Sequence, residues 1–401
     1  MINRPSTYFF WNLWVPFIFV LLCLSGCDNK EEALPITNQY LTESSSIKEL
    51  SKDDIIKINP LFTVYVKNGV KAYKLTYKTK NTDGSEITAS GAVILPVTDQ
   101  PISMISVQHG TITSEAEAPS NFGAGTEAAS FGTLFSSMGY IVVYPDYIGY
   151  GASKDLPHPY ETRSSLGSSA LDMIRATKEF LRGQSAVKWD DKLFIAGYSE
   201  GGYATMSLQK KIEEEAAGEF NLRASSCGAG AYDKTAFMKF IINSPTLGVP
   251  SYNSLYLWVL LTYDRVYKLN KPATYYFKEP YATQIAANKD NPSKVVINAS
   301  FHTILTDTFK KALNEGTDKE FIAAIADNDV YNWKPKTPTR LFHGDADPLV
   351  FHFNSVNAEA AMKKQGAADL TLTTITGGTH SSSVTPYLLG TLAFFQDAKY
   401  K

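Results

Sequence analysis

The chain has 401 residues, of which 44% are apolar and 19% are charged, and its formal net charge at pH 7 is −2. This composition excludes a disordered chain, because it supplies enough apolar side chains for a large core. The near-zero charge argues against a nucleic-acid partner, which usually needs a basic face.

Residues 1–26 have the features of an export signal. Arg4 precedes a strongly apolar stretch that starts at Tyr8, and the stretch ends in small residues. A membrane-spanning helix is the alternative interpretation, because the apolar length is close to the lower limit of about 17 residues for a span. Asn12 and Pro16 interrupt that stretch, and so we expect a cleaved signal.

The tetrad LSGC that ends at Cys27 resembles the lipobox of bacterial lipoproteins. The resemblance implies that Cys27 is lipidated and begins the mature chain. We therefore expect an exported protein, anchored by its lipid to a bacterial membrane, at the outer membrane or the cell surface. Residues 27–50 are polar and predict a tether. Cys227 is left without a partner, so no disulfide within the mature chain is expected.

Two kinds of strand are predicted beyond residue 50. Short β-rich runs predict antiparallel strands at a sheet edge; they are LFTVYV from Leu61, AYKLTYKT from Ala72 and EITASGAVILP from Glu86. Continuous apolar runs are typical of parallel strands buried on both faces; they are ISMISV (102–107), YIVVYP (140–145) and KLFIAG (192–197). Helical patterns separate the apolar runs, which indicates βαβ units and an α/β fold.

The strand pattern is interrupted once. Residues 51–232 and 335–401 carry strands, the latter including TRLFHG (339–344) and LTLTTI (370–375), whereas residues 233–334 are helical and rich in aromatic side chains. Because strands resume after this segment, it is not a separate C-terminal domain. We expect a helical cap inserted between two strands of a mostly parallel sheet that has helices on both faces.

Three glycines surround Ser199 in the sequence GYSEGG, which follows a predicted strand and precedes a predicted helix. This context fits the G-x-S-x-G nucleophile elbow, in which the serine lies in a strained turn above the sheet. The amide of Glu200, at the start of the helix, is then expected to stabilise an oxyanion. A second amide is expected from the loop after the ISMISV strand, from Gly110 or Thr111, and the sequence leaves both open.

A nucleophilic serine needs a histidine base and a carboxylate that orients the histidine. In chain order the acid follows the serine and precedes the histidine. Asp347 is the expected acid, because it lies in a G-x-x-D pattern after a buried strand and before a proline, with Asp345 as the alternative. His380 follows the last strand through a glycine-rich loop and is the expected base.

These motifs resemble those of the α/β-hydrolase superfamily over nearly all of the exported part of the chain. Within it, the chain is most similar to the secretory lipase family, whose members carry a helical lid before the acid. The resemblance rests on QHGT, PDYIGYG, PHPY, GYSEGG, HGDADPLV and GGTH. It implies a carboxylic-ester hydrolase that forms an acyl-enzyme, with Ser199, Asp347 and His380 at the matching positions. The paired cysteines of some secreted lipases are absent from this sequence.

The sequence indicates the reaction more clearly than it indicates the substrate. Residues 252–268 place tyrosines at helical spacing, so Tyr256 and Tyr263, together with Tyr198 of the elbow, are expected to contact the substrate, although packing within the cap explains the spacing equally well. Short-to-medium acyl, acetyl or hydroxycinnamoyl esters, free or linked to polysaccharide, are the expected substrates. No metal or other cofactor is expected, because no histidine or carboxylate cluster has ligand spacing.

Two other functions remain as alternatives. A serine exopeptidase similar to prolyl oligopeptidase would share the elbow and the chain order of the triad, but the region before the elbow is too short for a propeller. A non-catalytic binding protein on this fold would not need all three triad positions filled.

Overall fold

The structure is a computed structural model that describes residues 37–400, apart from 59, 61–62 and 290. The predicted signal segment (1–26) and the predicted lipidation site Cys27 lie outside the described residues. No helix in the described part of the chain has both the length and the apolarity to cross a bilayer.

The described residues form one sheet of nine strands. The strands are β1 (Leu41–Leu50), β2 (Val70–Lys80), β3 (Glu86–Pro96), β4 (Pro101–Gln108), β5 (Tyr140–Pro145), β6 (Lys188–Tyr198), β7 (Asn221–Gly228), β8 (Thr339–Gly344) and β9 (Leu370–Ile375). Their order in the sheet is β1-β2-β3-β5-β4-β6-β7-β8-β9. Three pairs are antiparallel: β1 with β2, β2 with β3, and β3 with β5. The other five pairs are parallel: β5 with β4, β4 with β6, β6 with β7, β7 with β8, and β8 with β9. The expected mostly parallel α/β sheet is therefore confirmed.

Helices cover both faces of the sheet. One face packs against α3 (Arg163–Leu181), α4 (Glu200–Glu215) and α12 (Phe353–Lys364). The opposite face packs against α1 (Lys52–Ile58), α2 (Thr133–Ser137) and α13 (Val384–Tyr400). Every residue of β5 is buried, as the continuous apolar run predicts for a strand covered on both sides.

The segment between β7 and β8 is helical. It contains α5 (Lys234–Asn243), α6 (Pro250–Val266), α7 (Ala273–Tyr276), α8 (Tyr281–Ala287), α9 (Phe301–Ile304), α10 (Asp307–Asn314) and α11 (Lys319–Asp327). These helices share an apolar cluster of their own, rich in tyrosine and phenylalanine. Because β7 and β8 are neighbours in the sheet, the chain leaves the sheet and returns beside the point of departure. We keep the name cap for residues 233–334.

Two expectations about the region before β2 are wrong. Residues 41–50, assigned to the tether, form β1, which pairs antiparallel with β2. Leu50 is the one buried residue of β1, and the other side chains of the strand are mostly polar, so the sequence shows no strand pattern there. Backbone hydrogen bonds to β2 hold β1 in the sheet. The run LFTVYV is not a strand, since its described residues from Thr63 to Tyr65 form a turn.

Candidate active site

Ser199 lies at the turn between β6 and α4. Its backbone angles, φ 60° and ψ −124°, are unusual for a residue other than glycine and store strain at the turn. The glycines around it are required by close approach: a Cβ atom on Gly201 would collide with the carbonyl oxygen of Gln108, and one on Gly197 with the carbonyl oxygen of Gly201. The arrangement holds the serine hydroxyl above the end of the sheet.

The three side chains expected to form a triad lie within hydrogen-bonding distance. His380 Nε2 is 2.8 Å from Ser199 Oγ, and His380 Nδ1 is 2.6 Å from Asp347 Oδ2. An ionised carboxylate can only accept, so Nδ1 carries the proton and Nε2 is free to accept the serine proton. This is the geometry in which a serine hydroxyl is activated for attack.

Asp347 is held by four donors. Its Oδ1 accepts the amides of Leu349 at 2.9 Å and Val350 at 3.0 Å, and its Oδ2 is 3.3 Å from His343 Nε2 in addition to its bond with His380. Burial alone would raise the pKa of the carboxyl, but the hydrogen bonds from His343, His380 and the Leu349 amide outweigh it and lower the pKa to about 2. The carboxylate is therefore ionised at neutral pH.

Asp345, the alternative acid, accepts a hydrogen bond from a loop amide instead of contacting His380. Its exposed side chain accepts the amide of Gly377 at 2.6 Å, which ties the loop after β8 to the loop before His380. Asp345 therefore braces a backbone group of the loop.

His343 contributes to the site in a way the sequence did not indicate. The ring is fully buried, with Nε2 2.6 Å from the Val350 carbonyl and Nδ1 2.7 Å from Ser355 Oγ. The carbonyl can only accept, so Nε2 carries the proton that also points toward Asp347. A histidine in the strand before the acid has no distinctive spacing, so sequence alone could not separate this role from ordinary packing.

The amides expected to form an oxyanion hole lie at the ends of neighbouring strands. Gln108 of β4 pairs with Gly197 of β6, so the loop from His109 onward lies beside the elbow. The Gly110 amide is already used, because it donates to Glu127 Oε1 at 3.0 Å. In the described part of the chain no group accepts a hydrogen bond from the Thr111 amide. The geometry therefore favours Thr111 over Gly110.

Glu200 supplies the other expected amide from the first position of α4, where a helix provides no internal acceptor. Its side chain points elsewhere: it is buried, and Oε1 is 2.9 Å from His158 Nε2. His158 Nδ1 is 2.6 Å from the Ile148 carbonyl, and the ring packs among aromatic side chains that include Trp258. This network fixes the start of α4, and apart from the PHPY motif no feature of the sequence indicated it.

His109 has a structural role. The ring is buried, with Nδ1 2.7 Å from the Gly110 carbonyl and Nε2 3.3 Å from the Asp146 carbonyl.

The three tyrosines expected to contact substrate differ in placement. Tyr198 donates its hydroxyl to the His380 carbonyl at 2.7 Å and lines a cavity that reaches Ser199. Tyr256, on α6, lines a smaller cavity on the cap side of Ser199 and donates to the Leu349 carbonyl at 3.0 Å. Tyr263 is fully buried among cap residues and lines neither cavity, so its position does not support a substrate contact.

Known proteins resemble this chain in sequence pattern or in fold. A model of secretory lipases matches residues 122–394. No curated protein sequence matches the chain. Solved structures with a similar fold include a protein from Legionella pneumophila (24% identity, TM-score 0.79, covering 90% of this chain and 98% of that one). They also include the rice cell wall degrading esterase LipA from Xanthomonas oryzae (23%, 0.73, 88% and 95%) and Candida antarctica lipase A in its closed state (16%, 0.67, 90% and 82%).

Proposed function

This chain belongs to the secretory lipase family and is a carboxylic-ester hydrolase, and we propose that Ser199, His380 and Asp347 carry its chemistry through an acyl-enzyme. The observation that supports this most strongly is the pair of distances on His380, 2.8 Å to the serine oxygen and 2.6 Å to the carboxylate.

In the proposed reaction Ser199 Oγ attacks the ester carbonyl carbon while His380 Nε2 takes its proton. The amides of Glu200 and Thr111 donate hydrogen bonds to the oxyanion of the tetrahedral intermediate. His380 then returns the proton to the leaving alkoxide oxygen, and the alcohol departs. Water repeats the sequence on the acyl-enzyme, giving the carboxylic acid and the free serine. Asp347 remains ionised and stabilises the imidazolium in both halves.

We propose short-to-medium acyl, acetyl or hydroxycinnamoyl esters as substrates, including esters linked to polysaccharide. The fold shared with an esterase that degrades rice cell wall is compatible with a polysaccharide-linked ester. The family assignment favours ester over amide substrates, so an exopeptidase of the prolyl oligopeptidase kind is the weaker interpretation.

The proposal is tested by Ser199→Ala. We expect the variant to lose hydrolysis of p-nitrophenyl acetate while its Tm stays within a few degrees of the parent. Ser85→Ala, in an exposed turn between β2 and β3, is the matched control and should retain full turnover. Undiminished turnover by Ser199→Ala would remove Ser199 as the nucleophile.

We further propose that the protein is exported and held at a bacterial membrane by a lipid on Cys27. The support is the apolar segment and the LSGC tetrad. Cys27→Ser is expected to abolish incorporation of labelled palmitate and to release the protein from the membrane fraction. Unchanged labelling in that variant would contradict a lipid on Cys27.

A further inference from the structure

Three tyrosine hydroxyls hold the loop that carries the expected Thr111 amide. We call residues 109–112 the oxyanion loop. Each hydroxyl bonds to a different residue of this loop: Tyr147 donates to the His109 carbonyl at 3.1 Å, Tyr150 donates to the Ile112 carbonyl at 2.6 Å, and Tyr160 pairs with Thr111 Oγ1 at 2.9 Å. All three tyrosines are buried, so water competes little for these hydrogen bonds. The position of the loop therefore depends on where the three rings lie.

The rings of these tyrosines pack around one histidine. The centroid of the His158 ring is 6.1 Å from that of Tyr147, 5.1 Å from that of Tyr150 and 5.9 Å from that of Tyr160. The same imidazole also supports the other expected donor of the oxyanion hole, because its Nε2 is 2.9 Å from Glu200 Oε1. His158 thus contacts the supports of both expected oxyanion amides.

One residue of the cap packs against two rings of the PHPY segment, residues 157–160. The indole of Trp258, on α6, stacks on the ring of Tyr160, with centroids 4.4 Å apart and planes at 13°. The same indole lies edge-on to the ring of His158, with centroids 5.5 Å apart. Arg265, about two turns further along α6, donates from Nη2 to the His158 carbonyl at 2.8 Å. The cap therefore holds the PHPY segment through α6.

The oxyanion loop needs such supports. In the described chain, residues 109–113 belong to neither a helix nor a strand, so regular backbone hydrogen bonds do not fix the Thr111 amide. An oxyanion donor is effective at about 2.7–3.1 Å from the position that the oxyanion occupies. A small shift of the loop therefore weakens binding of the transition state, while binding of the substrate before reaction is little changed.

We infer that His158 and Tyr160 are positioning residues for the two oxyanion amides, and that Trp258 of the cap keeps both rings in place. The inference rests on the proposed function and identifies the side chains that support its oxyanion hole. Because these side chains act on the amides and not on the substrate, their loss should lower kcat and kcat/KM together and leave KM nearly unchanged.

The first test removes one hydroxyl. Tyr160→Phe keeps the ring and loses the bond to Thr111, so kcat for p-nitrophenyl acetate, per active site titrated with a fluorophosphonate, should fall about tenfold. Inhibition by a trifluoromethyl ketone, whose adduct with Ser199 carries an oxyanion, should weaken by about the same factor. Tyr276→Phe, which loses a buried hydrogen bond to Asp264 within the cap, is the matched control and should keep both wild-type values.

The other partner of this hydrogen bond provides a second variant. Thr111→Val loses the same bond, and it tests the inference if Tyr160→Phe does not fold. The double variant should be no slower than either single variant, because both changes remove one interaction. Losses that multiply in the double variant, or a Tyr160→Phe enzyme with wild-type kcat per active site, would overturn the role of Tyr160.

The Glu200 side of the oxyanion hole is tested by a conservative rescue. Glu200→Ala removes the partner of His158 Nε2 and should lower kcat about tenfold, with KM nearly unchanged. Glu200→Gln has both a donor and an acceptor for the same nitrogen, so it should restore most of the wild-type kcat. Equal losses of kcat in the two variants would contradict positioning through His158.

The contribution of the cap is tested at Trp258. Trp258→Leu removes the ring that stacks on Tyr160 and should lower kcat several-fold, whereas Trp258→Phe keeps an aromatic ring and should recover part of the loss. A Trp258→Leu enzyme with wild-type kcat would overturn the role of the cap. An active wild type whose kcat none of these variants changes would overturn the whole inference, and a wild type inactive on every ester would overturn the proposed function itself.

Discussion

The imidazole of His343 lies 3.3 Å from the carboxylate of Asp347, on the same oxygen that accepts the proton of His380. Asp347 is thus held between two histidines, one from the strand that precedes it and one from 33 residues further along the chain. Together with the amides of Leu349 and Val350, this leaves each oxygen of the carboxylate with two donors. The orientation of His380 therefore depends on Asp347 being ionised and fixed.

Asp347→Asn should lower kcat about 10⁴-fold, because an amide that presents its NH₂ to His380 favours the wrong imidazole tautomer. Asp345→Asn is the matched control. Its side chain braces the exposed loop at Gly377, so steady-state kinetics should give a kcat within a few-fold of the parent. Equal losses in the two variants would contradict the assignment of the acid.

The stability of the protein should fall at acid pH through Asp347. Its pKa in the folded state is about 2, below the ordinary value of 3.8, so the ionised form stabilises the fold above pH 4, and this stabilisation disappears as pH falls through 2. The contribution is about 2 kcal/mol. Urea unfolding between pH 5 and pH 2 should show a steeper loss for the wild type than for Asp347→Asn. Parallel curves for the two proteins would show that Asp347 is not the group responsible.

Glu127→Ala should lower kcat by about tenfold or more with little change in KM. The side chain accepts the Gly110 amide, and its loss frees the loop that positions the Thr111 amide at the expected oxyanion hole. Glu127→Gln keeps a carbonyl oxygen for the same amide and should retain most of the wild-type kcat. A Glu127→Ala enzyme that matches the wild type would argue against this loop as part of the oxyanion hole.

The ion pair between Lys234, in the cap, and Glu161, in the core, should contribute to the free energy of unfolding. Lys234 begins α5, Glu161 precedes α3, and both side chains are buried. Removing one partner leaves a buried charge unpaired, so Lys234→Met should destabilise the fold by about 3–5 kcal/mol. The double variant Lys234→Met with Glu161→Gln should recover part of the loss. Denaturant unfolding measures this, and additive losses in the double variant would show that the two charges do not interact.

Features with strong local signals were predictable from the sequence. TRLFHG and LTLTTI match β8 and β9 residue for residue. β8 is mostly buried, as its apolar centre predicts, whereas β9 is an edge strand in which Leu370 alone is buried and the threonines supply the β-branched signal. The glycines around Ser199 indicated the elbow because close backbone approach leaves no room for side chains there. The chain order of serine, acid and histidine then selected the residues that the fold brings together.

Features that depend on tertiary neighbours were not predictable. The polar residues of β1 form a strand only because β2 offers a free edge. The sequence leaves the Gly110 amide as a candidate for the oxyanion hole, whereas in the structure this amide donates to Glu127, 17 residues away. Tyr263 has the helical spacing of a lining residue, but packing against the cap buries it completely. None of these neighbours can be identified from spacing along the chain.

The central claim is that Ser199 is the nucleophile, and the most direct test of it is the mass of the enzyme after reaction with a serine-directed inhibitor. Treatment with a fluorophosphonate, which phosphonylates an activated serine, should add one adduct per chain, and peptide mapping should place it on Ser199. Ser199→Ala should remain unlabelled. An adduct on another serine, or labelling of Ser199→Ala at the wild-type rate, would contradict the account.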